Sequence, residues 1–306
     1  MQRRSWNIWK GDQGLRSLWA LLLFLAIGVA VTASILAIVY LSGHLTMADI
    51  RGTRRSRLTP GITLIFVLAQ SCGYLVATFA MARIDRRSWQ DYGLRIRRSG
   101  LLFGQGAFWG VLLMSALVGT LALTHTMAIR PSGMGLPAVI GWGLLWAAVF
   151  VPAALVEELM FRGYPFFRLA RAINPTWAAV VMSLLFGAAH LGNTGESVLG
   201  IAQVVAVGLV FCLAIWRTGS LWWALGAHAG WNWTQTFVFG CANSGHTASG
   251  QWLTSTPMGP AWLSGGATGP EGSVLSLVAQ VLEVGIILLT LSGGRDTASK
   301  QAVAES

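Results

Sequence analysis

The run Val151-Pro152-Ala153-Ala154-Leu155-Val156-Glu157-Glu158-Leu159-Met160-Phe161-Arg162-Gly163 sets two adjacent carboxylates and one guanidinium inside apolar sequence. Ionisable side chains at membrane depth are costly, need partners and mark function by default. Glu158 and Arg162 are four residues apart on a helix, so they share a face and can form an ion pair. Glu157 is rotated about 100° from Glu158 and need not share that arginine. Glu158 is therefore expected to be mainly structural. Glu157 is expected to be the freer carboxylate, able to take a proton from water. Burial would raise its pKa toward neutrality, which suits a general base. A purely structural Glu–Arg pair closing a helix end is the bland alternative.

Two further pairs could serve the same chemistry. Phe186 and His190 are four apart, so the ring can pack while the imidazole reaches a site. A lone histidine at a helix end is otherwise a cap. His228 and Asn232 present one polar face among glycines and tryptophans, and both can donate to a developing oxyanion. An interhelical hydrogen bond is the competing reading. Gly106-x-x-x-Gly110 and Gly226-x-x-x-Gly230 permit close helix approach, and the second pair brackets His228. On that spacing, a neighbouring backbone is expected to pack beside the imidazole.

Taken in order along consecutive apolar helices, Glu157-Glu158-x-x-x-Arg162, Phe186-x-x-x-His190 and His228-x-x-x-Asn232 resemble the CPBP family. These are CAAX-type and bacteriocin-processing (Abi) intramembrane proteases, including the Ras-converting endopeptidase type. The resemblance covers about residues 137–240, the expected catalytic helical core. It implies eight helices around a conical cavity. It also implies that Glu157 activates a water with help from His190, that His228 and Asn232 hold the oxyanion, and that Glu158 and Arg162 buttress Glu157. The family is often called a metalloprotease. Glu157, His190 and His228 could supply a His₂Glu zinc set, but His-Glu-x-x-His is absent. The expectation is a glutamate-activated water with zinc possible and no metal required. Glu283, in the last apolar run, stands outside the family pattern.

The surrounding chain must place these groups in a bilayer. It has 306 residues, of which 54% are hydrophobic and 10% charged. Soluble domains carry roughly a quarter charged residues. The net charge of +10 comes from basic residues in short loops, which argues against nucleic acid and for topology signals. The expected fold is all-α and polytopic, one membrane domain over 1–306 with about eight transmembrane helices around a polar cavity. A span needs about 20 apolar residues. The runs are roughly 17–41, 61–82, 101–128, 137–161, 176–191, 197–216, 220–240 and 273–292. The first is too long for a signal-peptide core and reads as a retained helix.

With the N-terminus inside, sixteen Lys/Arg fall on the cytoplasmic side and five outside, so both termini are expected in the cytoplasm of a cell-membrane protein. That puts the Glu157 end of the fourth span toward the cytoplasm, with substrate access from that side or the inner leaflet. Tryptophans 6, 9, 19, 216, 222, 223, 252 and 262 read as interfacial anchors. Cys72 and Cys212 read as small buried hydrophobes. Residues 241–271 read as an external loop, partly folded or flexible, and 294–306 as a disordered tail.

The expected function is intramembrane hydrolysis of a peptide bond in a membrane-associated or CAAX-like protein or peptide. The alternatives are a non-catalytic assembly or immunity factor and a transporter using the same cavity.

Overall fold

A bilayer leaves backbone polar groups no partner but the chain itself, so apolar runs fold as helices. The computed structural model describes residues 10–11, 14–15, 17–52, 57–193 and 195–291. The expected disordered tail, the anchors Trp6 and Trp9, and Arg54 and Arg55 lie outside the described residues.

The chain is an all-α, multi-pass membrane protein. Its helices are α1 (Ser17–Leu41), α2 (Met47–Gly52), α3 (Pro60–Ile84), α4 (Ser99–Leu123), α5 (Leu136–Phe161), α6 (Tyr164–Ile173), α7 (Pro175–His190), α8 (Val198–Thr218), α9 (Trp222–Trp233), α10 (Ala261–Ser264) and α11 (Leu275–Thr290). Five stretches are long and apolar enough to cross a membrane: α1, α3, α4, α5 with α6, and α8. Helices α7 and α11 are apolar but shorter. Each of the eight expected runs coincides with a helix.

Helix α5 packs between α3 and α9, and α9 lies along α4. Helix α8 joins α7 to α11. The α4–α9 contact is the closest in the bundle, and all four motif glycines make it. A Cβ on Gly106 would sit 2.0 Å from the Trp223 carbonyl oxygen, and one on Gly226 would sit 2.1 Å from that of Phe103. Gly110 and Gly230 meet Ala227 and Ala107 in the same way. Residue 228 is about 200° around the helix from residue 226. The glycine face therefore points away from His228, not beside it as expected, and drives the imidazole toward α5. Gly226→Val should displace α9 and abolish a correctly placed His228. The check is loss of thermal stability in detergent, larger than for Ala229→Val on the same helix.

Helix α5 ends at Phe161, four residues past Glu157. Gly163 breaks the run, and Pro165, in the first turn, starts the separate amphipathic helix α6. Proline is tolerated in a first turn, where its missing N–H would be unpaired anyway. Helix α6 is pinned to α3 through Asp85. Its carboxylate accepts from Tyr92 Oη at 2.8 Å and Tyr164 Oη at 3.1 Å, and pairs with Arg168 and Arg171. This latch fixes the chain just beyond Arg162.

Opposite the arginine-rich end, residues 241–274 fold into a cap. Strand β1 (Lys10–Gly11) pairs with β2 (Gly14–Leu15) near the N-terminus. In the cap, β3 (Arg57–Leu58) runs parallel to β5 (Thr247–Ala248), and β4 (Met127–Pro131) antiparallel to β6 (Leu253–Pro257). Trp146 Nε1 donates to the Ser249 carbonyl at 2.9 Å, tying the cap to α5.

Two sequence expectations need correction. Trp223 is fully buried, because it faces α4 and the core rather than the interface, whereas Trp216, Trp252 and Trp262 are exposed. Cys72 is exposed on α3, whereas Cys212 is buried as expected.

Candidate active site

The two glutamates diverge as their helical phase requires. Glu158 points into the bundle and is completely buried. Its Oε1 accepts from Arg162 Nη1 at 2.7 Å and from His228 Nδ1 at 3.0 Å. Arg162 is equally buried, with its Cζ 4.1 Å from the centre of the Phe186 ring and 5.3 Å from that of Phe211. The cation is thus held by one carboxylate and two aromatic faces.

Glu157 faces a cavity of about 450 Å³ that also receives His190, His228 and Asn232. Its side chain is 34% exposed, so its burial is partial rather than the burial expected. His228 Nε2 lies 3.6 Å from Glu157 Oε2. His228 therefore bridges both glutamates, a link the sequence did not reveal, since it depends on how α9 is rotated against α5.

The ring nitrogens follow from their partners. His190 Nδ1 lies 2.8 Å from the Phe186 carbonyl oxygen, which can only accept. The hydrogen is therefore on Nδ1, and the neutral ring presents a lone pair at Nε2. His228 gives its Nδ1 hydrogen to Glu158, so it offers an Nε2–H to the cavity only as imidazolium. The site holds one acceptor imidazole, one clamped imidazole and one half-exposed carboxylate.

Among the described residues, no group of three or more His, Cys, Asp or Glu side chains is placed to hold a metal ion. The clamp turns the His228 ring onto the glutamates, and His190 enters from the end of another helix.

The cavity extends from Glu157 to the cap. Its lining includes Leu58 near the start of α3, and Ser244, His246 and Glu271 of the cap. No described residue of 83–98 or 162–173 lines it.

His246 and Glu271 were missed as cavity residues because their loop carries no periodicity. Glu271 Oε2 accepts from the Ser244 N–H at 2.9 Å and its Oγ at 3.2 Å. Glu196, in the loop before α8, has its carboxyl raised above the usual range, first by burial and second by the charge of Glu271. A carboxyl raised in the folded state holds a proton that the unfolded chain releases, so folding weakens as pH climbs above the ordinary value of 4.5. The cap should accordingly exchange amide hydrogens faster at neutral pH than at pH 4.5, after correction for intrinsic rates. Glu196→Gln should flatten that difference.

Residues 137–234 match the family model described as "Rce1-like: Type II CAAX prenyl endopeptidase Rce1-like", consistent with a CPBP family intramembrane protease. The match spans α5 through α9 and contains every residue of the three motifs. The comparisons found no curated protein and no solved structure that matches.

Proposed function

We propose that this chain is an intramembrane endopeptidase that hydrolyses a peptide bond of a membrane-associated, CAAX-like protein or peptide. One observation carries the reading. Of two adjacent carboxylates, Glu158 is sealed in a clamp with Arg162 and His228, while Glu157 faces a cavity shared with two imidazoles and an amide.

In this reading Glu157 takes a proton from a water held between it and His190 Nε2. The resulting hydroxide attacks the scissile carbonyl carbon. Negative charge develops on the carbonyl oxygen, where the Nε2–H of protonated His228 and the amide of Asn232 donate to it. Glu157 then passes its proton to the leaving amine. Glu158 and Arg162 act through others: they set the rotation of His228 and the position of α5. The substrate reaches Glu157 through the chamber beneath the cap.

The test is purified chain in sealed vesicles, scored together for peptide cleavage and for solute flux. Cleavage that requires Glu157 supports the protease. Flux without cleavage supports the transporter. Neither activity, with a Glu157→Gln variant that fully replaces the native chain in cells, supports the assembly factor.

A further inference from the structure

The three motifs leave one buried carboxylate of the chamber unused. Glu283 on α11 is 4% exposed and lines the same cavity as Glu157 and His228. Neither oxygen makes a hydrogen bond or an ion pair among the described residues. A buried unpaired carboxylate at membrane depth is expensive, and a bundle that needed only packing would place an apolar residue there.

The remainder of that wall is also polar. Ser276, Gln280 and Glu283 fall on one face of α11, with Glu271 just before the helix begins. Ser276 and Gln280 are satisfied internally: the hydroxyl donates to the Glu271 carbonyl, and the amide donates to the Gln203 carbonyl. The two carboxylates are not satisfied in full. Glu271 lines the chamber with its Oε2 taken by Ser244. No Lys or Arg among the described residues lines this cavity to balance them. The lining also includes apolar and aromatic side chains, Phe211 and Trp231 among them. Such a lining suits the methylene stem of a long cationic side chain, and aromatic faces attract its head.

We infer that the α11 wall from Glu271 to Glu283 is a specificity subsite for a basic side chain, lysine or arginine, of the peptide being cut. Glu283 takes the charge beside the scissile bond. This rests on the endopeptidase reading for its position next to the reacting atoms. The cation site itself does not depend on that chemistry. A free carboxylate at a substrate's C-terminus finds no fixed cation in this chamber.

The test separates binding from cleavage. Acetylated, amidated peptides of leucine, alanine and glycine carry lysine, norleucine or glutamate at one position, moved along the series. Binding to the full chain is read by fluorescence anisotropy on a Glu157→Gln background, with turnover blocked. The lysine peptide should bind about tenfold or more tighter than the norleucine peptide, as for a charge-assisted hydrogen bond in a dry site. Adding Glu283→Gln should bring the two to parity while the norleucine peptide binds as before, and Glu283→Lys should favour the glutamate peptide. Equal binding of lysine and norleucine peptides, or a lysine preference that survives Glu283→Gln, overturns the subsite. Loss of norleucine binding in Glu283→Gln also overturns it, assigning Glu283 to the fold. Cleavage by the parental chain is scored in parallel. Cleavage without a lysine preference removes the subsite and leaves the protease. A preference without cleavage removes the protease and leaves the cation site.

Discussion

Glu157→Gln should lower turnover by about 10²–10⁴-fold, the usual worth of a general base, while leaving the fold and its unfolding temperature unchanged. The amide keeps the size of the carboxylate and cannot accept the proton of water. The fold is expected to survive because Glu157 is 34% exposed and its one ionic neighbour among the described residues is His228 at 3.6 Å, whose stronger bond is to Glu158. Glu157→Asp should retain partial activity, since the charge remains and only the reach shortens. The measurement is single-turnover cleavage in vesicles beside thermal unfolding in detergent. An unfolded Glu157→Gln would move Glu157 from chemistry to structure.

Arg162→Leu should do the opposite and unfold the protein. It strips a fully buried carboxylate of its shortest partner, the 2.7 Å bond to Glu158. Removing one member of a buried pair typically costs about 3–5 kcal/mol, because the other charge stays behind. His228 alone then holds Glu158, and the two ring faces of Phe186 and Phe211 lose their cation. The double variant Glu158→Gln/Arg162→Leu should be less destabilised than Arg162→Leu alone, because no buried charge is stranded. That reversal of additivity is the signature of direct coupling. Denaturation midpoints of the two variants in one detergent decide it. Both should be inactive, since Arg162 no longer fixes the position of α5 in either.

Much of this arrangement was legible in the chain. Hydropathy located the helices because a bilayer permits few other structures. Helical phase separated Glu157 from Glu158, since four residues bring Arg162 beneath one of them and not the other. What stayed hidden depended on rotation and on irregular backbone. The rotation of α9 is set by glycines meeting α4, and no spacing within α9 says that His228 will meet Glu158. The cap is built from short strand pairs between distant segments, Arg57 with Thr247 and Met127 with Pro257, which carry no local period. Glu283 was visible as a charge in an apolar run, but only the packing of α11 on α8 and α4 gives it a direction. Arg168 and Arg171 turn onto Asp85, a contact that a count of basic residues could not show.

The most direct test of the central claim compares protein termini across the host's membrane and secreted proteins. Cells making the native chain are set against cells making Glu157→Gln at equal abundance. The account predicts new termini in the native cells that vanish with Glu157→Gln, arising from membrane-associated proteins. Identical terminus profiles, with Glu157→Gln fully rescuing a deletion strain, would contradict it and make this chain an assembly factor.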